Sequence, residues 1–559
     1  MKQRAVEQGA VQPQGAPATD SPTQPEPVVP VGGAPRASLA RAAGLVGALT
    51  LASRLLGLLR DAVFAAYFRQ GGTDAFFVAF TIPNVLRRLL AEGALTVAFI
   101  PVLTECRQRR GEVAARELFA ATLGAALVIW TAVCLLGIVF APLVVQSFAW
   151  GFHDDPPKLA LAVLLTRLTF PYLISVGLVA LAMGALNSHG DFAAPALAPA
   201  VLNLVIIVVI VVLAPHSAAW GWPPIVTAGI GVLLGGVLQA AVQLPSLRRR
   251  GLLLRPTLGL RNPEVLRIGR LMLPSIFGLA VYQLNVILMR QFASFLAEGV
   301  ISAIYYAQRL IEFPLGIFAV AIATVTIPSF AARASAGEFD RLKRSFNESL
   351  RLVLFVMLPA STGLIALALP LTAVLFQRGA FSHALARETA SMLVGFAAGL
   401  WAAGGVRQTV PVFFALQDTR TPVKISLLTL LVFAGAALVL RGPLGGPGLA
   451  LAVALSSVFN FVLLLLALRR RLGRLGLRSL GWSMARTSLA AAGSAVTAGA
   501  VARLGRWEAG SQPLRNHGVL LLAVLVGVLV FLALAALLRC PELQQITAVL
   551  RRRRQRAAG

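Results

Sequence analysis

The sequence predicts an all-α polytopic membrane protein of about fourteen transmembrane helices. Twelve form two six-helix lobes in parallel repeat, and two more are appended at the carboxyl end. Composition, the recurrence of long apolar windows and an internal repeat carry this expectation. The chain has 559 residues, 57% hydrophobic and only 13% charged, with a mean hydropathy of +0.80. A soluble globular protein carries about 25% charged residues. Windows of roughly 20 apolar residues, enough to cross about 30 Å of hydrocarbon, recur from residue 39 almost to residue 538.

In chain order, residues 1–37 are rich in Pro, Gln, Gly and Ala and read as a disordered tail, with no apolar run to make a cleavable signal peptide. Six helices follow in a first lobe, 38–246, near 39–67, 75–103, 119–148, 160–187, 192–214 and 224–246. A basic linker, 247–267, leads to a second lobe, 268–470, with helices near 268–296, 299–331, 346–377, 388–416, 422–440 and 446–468. The appended pair lies near 484–502 and 518–538, within 480–540, and a basic tail closes the chain at 541–559.

The repeat rests on short matches at a nearly constant offset. Ile100-Pro101 matches Ile327-Pro328 and Pro195 matches Pro422, each 227 residues apart, and Ala185-Leu186-Asn187 matches Ala415-Leu416-Gln417 at 230. Six helices per lobe give both lobes the same orientation, a transporter plan with the binding site between them near the midplane.

The formal net charge of +28 is mostly a topology signal. With the amino terminus inside, 33 Lys and Arg fall in cytoplasmic segments and eight in the opposite loops, so the positive-inside rule puts both termini in the cytoplasm. The same residues attract anionic membrane lipids, and a nucleic-acid partner is not expected. Three scattered cysteines (Cys106, Cys134 and Cys540) and five histidines in apparent loops give neither a disulfide framework nor a metal site. No metal and no cofactor are expected.

Charges inside spans cost about 2.5–3.5 kcal/mol each on insertion scales and mark cavities or partners. Arg54, Arg60, Arg87, Arg88, Arg167, Arg290, Arg309 and Arg407 are of this kind. Arg54 and Asp61, seven residues apart, fall within about 20° of one helical stripe, so Arg54 is either structural, balanced by Asp61, or a ligand group. Arg60 points about 120° away and is freer to face a cavity. Arg88 and Glu92 have the i, i+4 spacing of a neutralising pair, which leaves Arg87 as the better ligand candidate beside the helix-weakening Pro83 and Gly93. Arg309 has Glu312 at i+3, consistent with pairing or with ligand binding. Arg60, Arg87 and Arg309 fall between the midplane and the outer half. Converging there, three guanidinium groups would suit a diphosphate through bidentate bonds. Asp74, at the outer start of the second span, reads as an N-cap or a functional acid. Asp418 lies in the polar turn Gln417–Pro422, ahead of Lys424.

The run Ser53-Arg54-Leu55-Leu56-Gly57-Leu58-Leu59-Arg60-Asp61, with Thr73-Asp74-Ala75-Phe76-Phe77-Val78-Ala79-Phe80 and Pro83-Asn84-Val85-Leu86-Arg87-Arg88 up to Ala91-Glu92-Gly93-Ala94, resembles the MurJ (MviN) family of lipid II flippases. Tyr305-Tyr306 through Pro314, Leu375-Phe376-Gln377-Arg378-Gly379 and Gln417 through Lys424 extend the likeness over about 39–540. The resemblance implies the two-lobed plan of a superfamily of flippases and drug exporters, MATE-like in its halves. It also implies a groove for the lipid tail on the last two helices and a cationic cavity for the pyrophosphate head group. Arg60, Arg87 and Arg309 match cavity positions, Arg54 a family arginine required for activity, and Asp74 and Glu312 motif positions. Some relatives carry acids, one of them part of a sodium site, where this chain has Gln308 and, in the seventh span, only Gln283 and Asn285.

The function expected is a monomeric flippase of the bacterial cytoplasmic membrane, not an enzyme. It would carry lipid II, the undecaprenyl-pyrophosphate-linked disaccharide-pentapeptide, outward by alternating access. The energy source, whether membrane potential, sodium or protons, is left open. A flippase for another lipid-linked oligosaccharide is the nearest alternative. A cationic drug would be repelled by the arginines. An enzyme acting on the same lipids would need placed acids that the spans lack.

Overall fold

In hydrocarbon every backbone N–H and C=O must be satisfied internally, which restricts a chain this apolar to helices. The computed structural model describes residues 36–253, 255–511, 514–545 and 547, with side chains left undescribed at 36–43, 91–94, 96, 97, 277 and 477. All secondary structure among the described residues is helical. Most of both expected tails falls outside the described residues.

The chain begins with α1 (Arg36–Tyr67) and α2 (Gln70–Leu86), which continues through a π-helical turn (Arg87–Gly93) into α3 (Ala94–Val139). Then come α4 (Ala141–Phe148), α5 (Pro156–Thr169), α6 (Tyr172–Ser188), α7 (Ala193–Leu213), α8 (Val226–Ala241) and α9 (Leu244–Arg249). After the linker, α10 (Pro263–Ser294) precedes α11 (Val300–Pro314), a second π-helical turn (Leu315–Ala319) and α12 (Val320–Ser335). The chain continues through α13 (Phe339–Ala366), α14 (Ala368–Phe376), α15 (His383–Ala398), α16 (Leu400–Ala415), α17 (Arg420–Leu444) and α18 (Gly446–Leu472). The appended pair is α19 (Leu477–Ala502) and α20 (Leu514–Leu537).

Local chemistry sets several starts. Asp155 accepts the Lys158 N–H at 3.2 Å ahead of Pro156, and Asn262 accepts the Glu264 N–H at 2.9 Å ahead of Pro263. Both combine a polar cap with a proline at the first helical position. The connection expected between the second span, near 75–103, and the third, near 119–148, shrinks to one residue: Gly111, at φ 84° and ψ 179°, breaks α3 where the two spans meet.

Nine helical segments among the described residues are long and apolar enough to cross a bilayer, or eleven when two bent pairs are each taken as one span. The first, second and thirteenth expected spans are helical in α1, α2 and α19 but are not among them. Arg54, Arg60 and Asp61 dilute α1, and the second rod is divided by its π turn. Apolar length alone therefore does not reach fourteen.

The repeat reappears in the backbone. The π turns start at Arg87 and Leu315, the breaks between helices fall at Phe140 and Leu367, and the bends at Pro171 and Gly399. These pairs are separated by 227 or 228 residues, the offset of the sequence matches. Gly tolerance and proline placed at these points let each rod bend without stranding polar groups.

From Leu45 onward the chain forms one compact unit. Its core joins aromatic residues of both lobes: Phe77 stacks on Tyr305 with ring centroids 3.8 Å apart and meets Tyr306 edge-on at 5.8 Å. Leu204 and Val208 of α7, and Leu521 and Leu529 of α20, remain exposed, as expected of flanks that face lipid. The linker is pinned to α3, where the Thr257 N–H donates to the Ala120 carbonyl at 3.1 Å. Gly124 and Gly259 permit that approach, for a Cβ on Gly124 would sit 2.0 Å from the Thr257 carbonyl oxygen.

Gly124→Ala should therefore cost about 1–3 kcal/mol through overpacking. A fluorescence melt of the purified protein should show a lowered transition, whereas Gly435→Ala, with nothing within 4 Å of its Cβ position, should leave it unchanged.

Candidate functional site

A carboxylate cannot stay charged inside a membrane protein without cations and donors around it. Asp61, near the end of α1, has both lobes supplying them. Arg60 donates to its Oδ1 from Nη2 at 2.7 Å and from Nε at 3.0 Å, and the Tyr305 hydroxyl donates to the same oxygen at 3.0 Å. Arg309 of α11 donates from Nε to Oδ2 at 2.9 Å and from Nη1 to Glu312 at 3.1 Å. Arg60 also reaches the Asn203 Oδ1 of α7 at 3.0 Å, while the Asn203 amide donates to the Ser53 carbonyl at 3.2 Å. The Arg309 guanidinium lies 5.4 Å from the Tyr305 ring centre, a cation–π contact. One acid thus serves two arginines from opposite lobes.

This arrangement reverses the expected pairing. Arg54 is not balanced by Asp61; its Nη2 donates to the Gly316 carbonyl at 3.3 Å. Arg60 does not face an open cavity. Its side chain is 8% exposed, and the space beside it, walled by Phe64, Phe76, Phe77 and Phe80, is only about 10 Å³. Arg60 is long enough to fold back onto the carboxylate of the next residue, although the two lie on different faces of α1. Arg309, 35% exposed, is the accessible member of the cluster.

The three expected ligand arginines do not share one level. Counting about 1.5 Å of rise per residue from the end of α1 and the starts of α2 and α11, Arg60 and Arg309 lie at similar distances along their helices. Arg87 lies about 15 Å further along than Arg60, near the level of Arg54 and Gly316. The site therefore has two tiers. The first holds Arg60, Asp61, Tyr305 and Arg309. The second holds Arg54 and Arg87 beside the paired π turns, a distortion that often accompanies functional sites. The Gly316 carbonyl that receives Arg54 belongs to one of these turns. Arg88 follows Arg87 in the other, where both side chains are half-buried. Its expected partner Glu92 has a side chain outside the described set.

Asp74 does not cap its own helix, since α2 begins four residues earlier. It caps α11 of the other lobe, accepting the Gly299 N–H at 2.8 Å, the Ser302 N–H at 2.8 Å and the Ser302 hydroxyl at 2.6 Å. Lys158 of α5 reaches the same carboxylate at 3.2 Å. The lobes are stitched further around it by Thr73 Oγ1 to Ser302 Oγ at 2.7 Å and by the Ala380 N–H to the Ala66 carbonyl at 2.9 Å. Gly151 fits backbone to backbone there, since its Cβ would sit 2.3 Å from the Ser294 carbonyl. At the opposite end, Arg110 pairs with Glu264 at 3.2 Å and Arg267 with Glu105 at 2.9 Å. These tie α3 to the first half of α10, which bends by 49° near residue 277.

Asp418 stands apart from both tiers. It accepts the Thr421 N–H at 3.0 Å and its hydroxyl at 2.8 Å at the start of α17, and pairs with Arg471. Burial opposes its charge, but these donors hold the carboxyl below its usual range. Its place is one residue ahead of the N-cap Thr419, where it tethers the first turn of α17. The residues the sequence did not single out are Asn203, Ser302 and Lys158. An asparagine in an otherwise apolar span was the available signal for the first; the others act only through contacts made in the fold.

A family model described as "Lipid II flippase MurJ" matches residues 64–518. A probable lipid II flippase MurJ of Vibrio cholerae is 37% identical over 80% of this chain and 86% of its own length. The lipid II flippase MurJ of Burkholderia cenocepacia is also 37% identical, over 78% and 84%. Among solved structures, a lipid II flippase MurJ in an inward closed conformation superposes with a TM-score of 0.71 at 24% identity, covering 88% of this chain and 98% of its own. An inward-facing multidrug resistance MATE family transporter gives 0.63 at 17% identity, covering 76% and 95%.

Asp74→Ala should loosen the stitched end, because two N–H groups of α11 lose their acceptor. A Thr73→Cys reporter should then be labelled several-fold faster by a membrane-impermeant thiol reagent than in the parent, and the rate should be unchanged in an Asp418→Ala control.

Proposed function

The chain belongs to the lipid II flippase MurJ family, and from that membership and the two arginine tiers we propose that it translocates lipid II as a monomer, by alternating access. The charge asymmetry, 33 basic residues against eight, supports an orientation with both termini cytoplasmic. In that orientation the stitched end around Asp74 is the outer gate, and the described conformation is closed to the outside.

The observation that carries the reading is the shared carboxylate. A diphosphate arriving from the cytoplasm meets Arg54 and Arg87 first and then Arg309, the exposed member of the upper tier. Phosphate oxygens replace Asp61 on Arg309 with bidentate, charge-assisted bonds. Removing Arg309 from Asp61 breaks the ion pair that ties α1 to α11, so binding the head group and releasing the lobes are one event. Asp61 keeps Arg60 and Tyr305 as partners, so no charge is stranded while the substrate is held. The lobes, taken as 38–246 and 268–470, then rock about the site. The undecaprenyl tail stays in lipid along 480–540, where Leu489 and Val496 of α19 and Leu521 and Leu525 of α20 are exposed. Nothing in this cycle makes or breaks a covalent bond, which fits a transporter and not an enzyme, and it requires no cofactor.

Arg87→Ala and Arg309→Ala should each leave expression and melting near the parent, since Asp61 keeps Arg60 and Tyr305, whereas Arg60→Ala, which strips Asp61 and Asn203 of a buried partner, should lower the melting transition. All three variants should fail to support growth of a cell depleted of its own flippase and lower lipid II affinity at least about tenfold, equal to about 1.4 kcal/mol. Full complementation by both Arg60→Ala and Arg87→Ala removes the assignment.

A further inference from the structure

We propose that a second anion site, distinct from the two tiers, binds the phosphoglycerol head group of an anionic phospholipid where α13 meets the turn between α18 and α19. A cavity of about 480 Å³ opens there, within the about 300–1,000 Å³ typical of small-ligand sites. It lies at the same membrane face as the carboxy-terminal segment, because Arg351 on its wall pairs with Glu542 at 2.6 Å.

Four basic side chains line it, Lys343, Arg344, Arg351 and Arg474, against the acids Asp340 and Glu348. Lys343 is spent on Asp340 at 2.7 Å and Arg351 on Glu542. Arg344 and Arg474 have no salt-bridge partner among the described residues. Two guanidinium groups without an ion pair, one on α13 and one on the turn, line the same cavity and can hold one phosphate between them. Asn347 adds a polar demand. Its amide donates to the Leu475 carbonyl at 2.9 Å, while its Oδ1 is buried without a partner. An orphaned acceptor of this kind calls for a neutral donor, which the hydroxyls of a glycerol head group supply.

Depth favours a lipid over a soluble anion. The charged first turns of α13 end at Arg351, and the apolar run that follows begins at Leu352. Trp482, one turn beyond the cavity residue Ser479, is 64% exposed with the Arg486 guanidinium 5.9 Å from its ring centre. Aromatic and basic residues at this level mark the head-group layer, where basic pockets between helices take anionic head groups.

The test is a titration of the purified full chain in detergent with phosphatidylglycerol, read by native mass spectrometry. Arg344→Gln/Arg474→Gln should weaken binding at least fivefold with elution and melting unchanged, and the single variant Arg474→Gln should give a partial loss. A charge-matched control in the linker, Arg255→Gln/Arg261→Gln, should change it less than twofold. Phosphatidylethanolamine should bind the parent no better than phosphatidylglycerol binds the double variant. Equal binding by parent and double variant, or an equal loss in the control, overturns the proposal. Displacement of the lipid by equimolar inorganic phosphate also overturns it, assigning the cavity to a soluble anion.

Discussion

Everything at the centre of this protein depends on one shared carboxylate: Asp61 accepts from the buried Arg60 beside it and from the partly exposed Arg309 of the opposite lobe. Taking one partner from a buried ion pair costs about 3–5 kcal/mol, so Asp61 cannot be left bare. Arg309 divides its guanidinium between Asp61 and the exposed Glu312, which makes it the arginine best placed to change partners. The same sharing couples the lobes beside the aromatic contact of Phe77 on Tyr305 and the hydrogen bonds around Asp74.

The paired π turns show how the repeat was put to use. Both lobes carry this distortion at equivalent positions, Arg87–Gly93 and Leu315–Ala319, yet the side chains differ. The first lobe places two arginines there, and the second offers the Gly316 carbonyl to Arg54. Duplicated backbone geometry with diverged chemistry gives one basic wall and one accepting wall at the same depth.

Much of this was legible in the sequence. Helix positions followed from apolar windows, and the 227-residue offset of Ile100-Pro101 and Ile327-Pro328 returned as paired breaks at Phe140 and Leu367. That Arg60, Arg309 and Asp61 would need partners was legible from the cost of placing them in spans. Their pairing was not. Helical periodicity reports which residues share a face, but Arg60 reaches its neighbour's carboxylate across faces, and Arg309 arrives from 248 residues away. Asp74 shows the same limit: a helix-start acid was readable, the helix it caps was not. The depth of Arg87 became clear only once the antiparallel ends of α1 and α2 were fixed.

The cap that Asp74 places on α11 also has a directional consequence. A helix start borrowed from another lobe is satisfied in only one arrangement of the two. When the lobes part at this end, the N–H groups of Gly299 and Ser302 must turn to water, and Lys158 loses the carboxylate it faces. The borrowed cap thus acts as a spring that draws the two lobes back together at this end.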